Sequence, residues 1–454
     1  MEQDSITHDR LLALIEVEAK NKTRESLKYG ITIKDKIIID SSSHYSSLAI
    51  HFENCKFLDK FTMHGNELDD NINFRNCHFS KGLLLIDVKK AKRILISDCR
   101  IDDNFIIMGN FDQIITYTTT INKMIVGDGT SINKLEIGGM ARSNIKYATI
   151  LGNNAIKKIQ IANCNVEQIS FSNLANDTEI FNCSLNSILF NRIRNNGNLK
   201  LLNCKAMSVE KKSSHFISNE SNLGKAEFFQ FNFASFDEVN IINSVLNECL
   251  FVNSTWADNI KAFAGDQMDN YIMDREISNA WRLVVSKTQR TKVPYKESQL
   301  QLRDKKEVYK QIKYALSKQG DSVNEQMFHI LEMNTHNRIL NWRPANFSTK
   351  IILNLSSISS NFGQSLSRPI IFLLIVNGLL FSLLNYSNGL RFVAFSEVSS
   401  QNAIETISQF IWYLNPFHNN NDLRGIPLIV DIFIRIVSSY SIYNIIRATR
   451  RFIK

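Results

Sequence analysis

Along residues 45–256 the apolar positions follow neither the 3.6-residue period of a helix nor the 2-residue period of a lone strand. In "KIQIANCNVEQISF", Lys158 to Phe171, they come as pairs five apart: Ile159 and Ile161, Cys164 and Val166, Ile169 and Phe171. Such a step fits a chain that extends for two or three residues, turns, and starts again. An Asn-Cys phrase punctuates the pattern at Asn54-Cys55, Asn76-Cys77, Asn182-Cys183 and Asn203-Cys204, with Asp98-Cys99 and Asn243-Ser244 as variants. From Cys55 to Ser244 the steps are 22, 22, 65, 19, 21 and 40. Taking 65 as three coils and 40 as two gives 189 residues in nine coils, about 21 each. A fixed period of this size predicts a stack of coils. Asn and Asp suit the turns, and Cys serves as a small inward residue. Cys55, Cys77, Cys99, Cys164, Cys183 and Cys204 all occupy this one repeat position, which predicts a buried ladder of reduced thiols. Cysteines about 20 residues apart with no CxxC argue against a metal site.

The repeat resembles the pentapeptide-repeat family, whose coils have four five-residue sides; the five-step pairs of Lys158–Phe171 carry the resemblance. It implies a right-handed β-helix over about residues 45–256.

Outside the repeat the periodicity changes. Leu11, Leu12, Leu14, Ile15 and Val17 predict a short amphipathic helix, expected to cap the first coil within residues 1–44. The N-terminus has no apolar run after a basic start, so no signal peptide is expected. Residues 257–348 predict a helical linker. Its first helix buries Val308, Ile312, Tyr314 and Leu316 and ends at Gly320. Ser322 and Glu325 make an S-x-x-E capping box for the second, with Phe328, Leu331 and Ile339 on its inner face. The region 349–454 then carries two long apolar stretches, Ile370–Tyr386 and Ile426–Ile446. Each is long enough to cross a bilayer as a helix.

Charge adds an orientation. The formal net charge of +9 divides into −1 for residues 1–44, +1 for 45–256 and +9 for 257–454. A near-neutral solenoid argues against nucleic-acid partners, whether by binding DNA or by imitating it. Lys350 and Arg368 precede the first apolar stretch, and Arg447, Arg450, Arg451 and Lys454 follow the second, whereas the loop 387–425 is net −1. The bias of basic residues predicts both termini in the cytoplasm, and there the thiols stay reduced.

Across residues 305–386 the chain also resembles bacterial pentapeptide-repeat proteins that end in a two-helix, ion-channel-like domain. "YKQIKYALSKQGD", "MFHILEM" and the junction Phe362-Gly363…Arg368-Pro369 carry that similarity. It implies an oligomeric, pore-like assembly in the bacterial inner membrane. "NAIETISQFIWYLNP" supplies a candidate helix between the spans, with Trp412, Asn415, Pro416 and His418 in a candidate re-entrant loop. "LNPFHNNND" stands where a potassium filter would need Thr-Val-Gly-Tyr-Gly-like carbonyls, so potassium selectivity is not implied.

Asp431 and Arg435, four apart in the second span, are the candidate intramembrane site. They read either as a pore or gate lining or as an ion pair between packed helices. Ser438, Ser439 and Asn444 extend the polar character. His329, Glu332 and His336 share a helix face but lack further ligands, so no metal is expected. No GxSxG, HExxH, P-loop or GxGxxG occurs. No catalytic residue or cofactor is therefore expected. The sequence, with the resemblance over residues 305–386, predicts a non-enzymatic membrane protein in which a cytosolic solenoid senses or scaffolds and is coupled to a channel-like or pore-like, oligomeric two-span domain. Its expected partners are the lipid bilayer, further copies of the chain, and a cytosolic protein or ligand on the solenoid. A membrane-anchored scaffold without conduction and a membrane-damaging effector are the alternatives.

Overall fold

The computed structural model describes residues 5–6, 10, 13, 27–28, 32–40, 50–151, 155–172, 174–207, 214–257, 260–261, 299–387, 400–419 and 423–449. The expected N-terminal helix lies almost wholly outside them. The chain forms two compact units, Met1–Glu325 and Gln326–Lys454.

The first unit is a β-solenoid. Among the described residues all of its strand pairings are parallel, each strand lying on one from the neighbouring coil. One inward column runs Ile50, Ile72, Ile94, Ile114, Leu135, Ile159, Thr178 and Leu199, each the register partner of the next. Like stacks on like: the rings of Phe57 and Phe79 are parallel at 4.7 Å, and those of Phe52 and Phe74 at 5.2 Å. The pairing continues beyond 45–256 at both ends. Ile37–Asp40 pairs with Phe61–His64, and Ile260–Lys261 with Val239–Asn240. Those end coils lack the Asn-Cys phrase that marks the interior ones.

The phrase has a backbone cause. Asn54, Asn76, Asp98, Thr118, Asn163, Asn182, Asn203, Gln230 and Asn253 are left-handed, with φ between 49° and 59°. Asn and Asp tolerate that region best among residues with a Cβ. Their amides stack along the corner: Asn76 Nδ2 donates to Asn54 Oδ1 at 2.6 Å, and Asn203 Nδ2 to Asn182 Oδ1 at 2.8 Å. At the Cys and Thr119 stations the next residue turns inward and donates to the carbonyl two positions back, whereas behind Gln230 the inward residue is Phe231 and behind Asn253 it is Ser254, whose Oγ donates to Phe228 O at 3.0 Å. Cys99 Sγ reaches Ser97 O at 3.1 Å and Cys183 Sγ reaches Phe181 O at 3.3 Å. In the coils without Cys, Thr119 Oγ1 makes the same bond to Tyr117 O at 2.7 Å. Ser143 Oγ takes the N–H of Thr119, so Thr119 and Ser143 fill the two missing rungs between Cys99 and Cys164. All seven cysteines are buried and free.

One station differs from expectation. Asn243-Ser244 belongs to a second corner, where Arg192, Glu220 and Asn243 are left-handed. There Glu220 N–H donates to Ile242 O at 2.8 Å, and Ser221 N–H to Ser244 Oγ at 3.1 Å. The first corner continues instead through Gln230 and Asn253. A turn chemistry shared by two corners made them look alike in sequence.

Helix α1, Gln299–Gln319, covers the last coils with Val308, Tyr309, Ile312 and Leu316 buried. Tyr314 is exposed, with Lys318 Nζ over its ring at 4.4 Å; Tyr309 takes the expected inner place. Gln319 binds the strand edge twice: Oε1 accepts from Phe251 N at 2.8 Å and Nε2 donates to Cys249 O at 2.9 Å. Gln311 Oε1 accepts from Leu246 N at 2.9 Å. Gly320, at φ 73°, ends the helix. Helix α2, Ser322–Ile339, is capped by Asp321 rather than by Ser322, because Asp321 Oδ1 accepts from Asn324 N at 3.1 Å. Phe328 is buried, and Leu331 and Ile339 are half-buried.

The second unit contains α3, Phe347–Ser360, α4, Ser367–Ser387, α5, Ser400–Leu414, and α6, Ile426–Thr449. Helices α4 and α6 are long and apolar enough to cross a membrane. Only 22 % and 28 % of their apolar windows are buried, which is not how a soluble fold treats a core helix. The two run antiparallel: Asn377 meets Ser438, and Gly363, just before α4, meets Arg447 near the end of α6. The expected inter-span helix is present as α5. Its end packs on the hairpin through Tyr413 and Phe410, against Phe381, Val430 and Ile434.

Candidate functional site

Polarity in α6 follows its packing face. Asp431, Ser438, Ser441 and Asn444 are buried on one side of the helix, together with Val430, Ile434 and Ala448. The outward residues Ile429, Ile432, Phe433 and Ile436 are apolar and exposed. Helix α4 answers with buried Asn377, whose Nδ2 donates to Ser438 Oγ at 2.7 Å. Interhelical hydrogen bonds of this kind join helices in lipid, where association gains little from apolar contact. Ser439, expected with the polar stripe, lies outside it and is exposed.

The most charged point of this stripe is a three-residue cluster. Asp431, 1 % exposed, is held at both oxygens: Oδ2 accepts from Arg435 Nε at 2.8 Å, and Oδ1 lies 2.6 Å from His418 Nε2. His418 is fully buried against the rings of Trp412 and Tyr413, at 4.9 and 4.7 Å. Its Nδ1 lies 2.5 Å from the Asn415 carbonyl oxygen. A carbonyl only accepts, so Nδ1 carries a hydrogen. The short Nε2···Oδ1 contact also needs one. The His–Asp pair thus holds two protons, and wherever the shared one sits the pair is neutral as a unit. Arg435, about one-third exposed, gives the cluster its single positive charge.

Both sequence-predicted groups therefore meet here, which neither motif foretold. The candidate loop residue His418 and the candidate pair Asp431–Arg435 form one site. Asn415 shapes the turn: its carbonyl accepts from His418, and its Oδ1 from Phe417 N at 3.0 Å. Pro416 lies in the same turn, and Trp412 stacks on His418. The sequence signal was present but unpaired. Within the run 410–419, His418 and Tyr413 are the titratable side chains, and nothing in a separation of thirteen residues links His418 to Asp431.

The junction residues are also close to the hairpin. Asn361, Phe362 and Gly363 are successively left-handed, with φ of 48°, 56° and 83°. Such strain in a buried Phe persists only where its surroundings enforce it. A Cβ on Gly363 would lie 3.2 Å from Arg447 Nε, so glycine lets that arginine lie against the turn. Arg368 Nη1 donates to Ser357 O at 3.4 Å, and Pro369 is buried in the first turn of α4. No group of three His, Cys, Asp or Glu among the described residues is arranged to hold a metal ion.

No family model, curated protein or solved structure matches this chain.

Proposed function

We propose that the chain is a membrane-anchored interaction scaffold, with the solenoid as its sensing or binding part and the α4–α6 hairpin as its anchor. One observation carries this reading: the hairpin turns most of its polar residues inward and leaves a mainly apolar surface outward, which suits hydrocarbon and not water. The pentapeptide-repeat resemblance supports the solenoid as a surface for a cytosolic protein or ligand. Placement in a bacterial inner membrane, with both termini cytoplasmic, rests on the basic flanks. The absence of an enzyme motif in the sequence favours a non-enzymatic role.

A second reading is a channel-like oligomer. Helix α5 and its turn, which come between the two spans in the chain and pack their end on the hairpin, favour it. Two spans cannot enclose a water path, so copies would have to assemble, and the buried Asp431 would brace the pore loop instead of lining the path. The deciding experiment is purification in detergent with mass measurement, followed by planar-bilayer recording. A monomer without current supports the scaffold; a defined oligomer with unitary currents replaces it with the channel. Growth arrest on expression would instead point to a membrane-damaging effector.

A further inference from the structure

Helix α3 is amphipathic the wrong way round for a protein in water. Its polar side faces the chain: Lys350 Nζ donates to the carbonyls of Asn337 and Leu340, at 3.1 and 2.5 Å, and Asn354 Oδ1 accepts from Asn337 Nδ2 at 2.6 Å. Its C-terminal Ser359 and Ser360 are buried, and Ser359 Oγ lies 2.9 Å from the Tyr440 hydroxyl of α6. The opposite side presents Phe347, Ile351, Ile352, Leu355 and Ile358 outward, with Ile352 64 % and Ile358 68 % exposed. At 100° per residue these five fall within one arc of roughly 140°, broken by the exposed Ser348 and, in the last turn where the helix meets α6, by the buried Ser359. A patch of this kind needs a cover.

We infer that the cover is the surface layer of an anionic bilayer, with the outward face of α3 seated among the acyl chains next to the first span. This inference rests on the membrane reading above. Two observations select lipid. The exposed face of α3 joins, through the short turn 361–366, the exposed apolar face of α4, including Ile370, Ile371 and Leu374. Charge supplies the second. Residues 333–368 contain Arg338, Arg343, Lys350 and Arg368 and no Asp or Glu, and no acid follows Asp431. The region beside α3 is therefore uniformly basic, which complements phosphatidylglycerol headgroups. Trp342, exposed beside Phe347 at a ring separation of 6.1 Å, is the residue type that settles at the headgroup level.

The test uses the full chain in vesicles of phosphatidylcholine and phosphatidylglycerol, with bimane on single introduced cysteines at Ile352→Cys and Ile358→Cys. Leu379→Cys reports the first span, and Lys146→Cys reports water. Brominated lipid should remove most of the emission at 352, 358 and 379 and leave 146 unchanged. Replacing phosphatidylglycerol by phosphatidylcholine should weaken quenching at 352 and 358 but not at 379. Quenching at 379 without quenching at 352 and 358 overturns the inference alone and assigns the face to another copy of the chain or to water. Equal quenching of α3 in both lipids overturns its anionic preference. No quenching at 379 overturns the membrane reading, and this inference with it.

Discussion

At the residue scale, the ladder position behind most left-handed corners holds a small side chain with a hydrogen to donate; Ile193 and Phe231, behind Arg192 and Gln230, are apolar exceptions. Cys183, Thr119 and Ser221 bond the carbonyl two residues back in the same manner, at 3.3, 2.7 and 2.8 Å. Cys183→Ser should therefore be tolerated, whereas Cys183→Ala should cost about 1–2 kcal/mol through a lost bond and a small void. Urea unfolding of the two variants checks the order. Burial should also make native-state thiol labelling slow at the ladder cysteines, and burial pushes the Cys249 thiol up to about 12. The charge cluster follows a different logic. Arg435→Leu leaves Asp431 with His418 alone, and Asp431→Leu leaves two donors facing an apolar chain. Breaking a buried ionic contact from its buried side costs up to about 3–5 kcal/mol, so Asp431→Leu should lower folded yield, whereas Arg435→Leu, which removes a side chain about one-third exposed and leaves the neutral His418–Asp431 pair, should lower it less. Because His418 Nε2 also lies on Asp431, the double change Asp431→Leu/Arg435→Leu should recover only part of that loss. Adding His418→Phe should recover more. Full recovery in the double variant would remove His418 from the site.

Elements differ in how openly the sequence declares them. The solenoid coils were legible because one turn chemistry recurs in register. Even Thr119 and Ser143, which lack the phrase, fall on the expected spacing. Asn243-Ser244 misled because a second corner uses the same residue types. The caps were less legible: Asp321 displaces Ser322 by one residue, and Tyr309 and Tyr314 exchange faces, since a helix pattern cannot say which aromatic a neighbouring coil needs. The cap of the last coil rests on Gln319, whose amide makes two of its bonds. Gln319→Ala should expose the Phe251 amide and speed its hydrogen exchange by roughly tenfold, for a loss of about 1.4 kcal/mol. Unchanged exchange there would show that apolar burial alone holds the cap. At the neighbouring edge, burial of Glu238 would raise its carboxyl, but His215 and Lys261, which bond it, outweigh that and hold it down at about 2. A depressed carboxyl stabilises the fold above its ordinary value of 4.5, and that gain is lost as pH falls towards 2. The stability gap between the parent and Glu238→Gln should accordingly be widest above pH 4.5 and close on acidification.

For the whole molecule, the legible part of the sequence was the presence of two helices long and apolar enough to cross a membrane, and the hidden part was how they meet. Hydropathy finds α4 and α6 one at a time, while the Asn377–Ser438 bond and the Asp431–His418 contact depend on which faces pair. That pairing constrains topology. Antiparallel helices joined through α5 place residue 367 and residue 449 at the same end of the hairpin. If the hairpin spans a bilayer, the two ends of the membrane domain must share one side. The basic residues select which side. Arg368 and Arg447 lie at the shared end, whereas the connecting loop is net −1, so the shared end should be cytoplasmic. A reporter fused after Lys454 should then be active only in its cytoplasmic form, and one inserted near Asn420 only in its external form. The reversed pattern would keep the hairpin but place the solenoid outside the cell, where a ladder of free thiols faces oxidation. Opposite sides for residues 367 and 449 would deny the antiparallel pairing itself, and with it the polar stripe that joins the two helices.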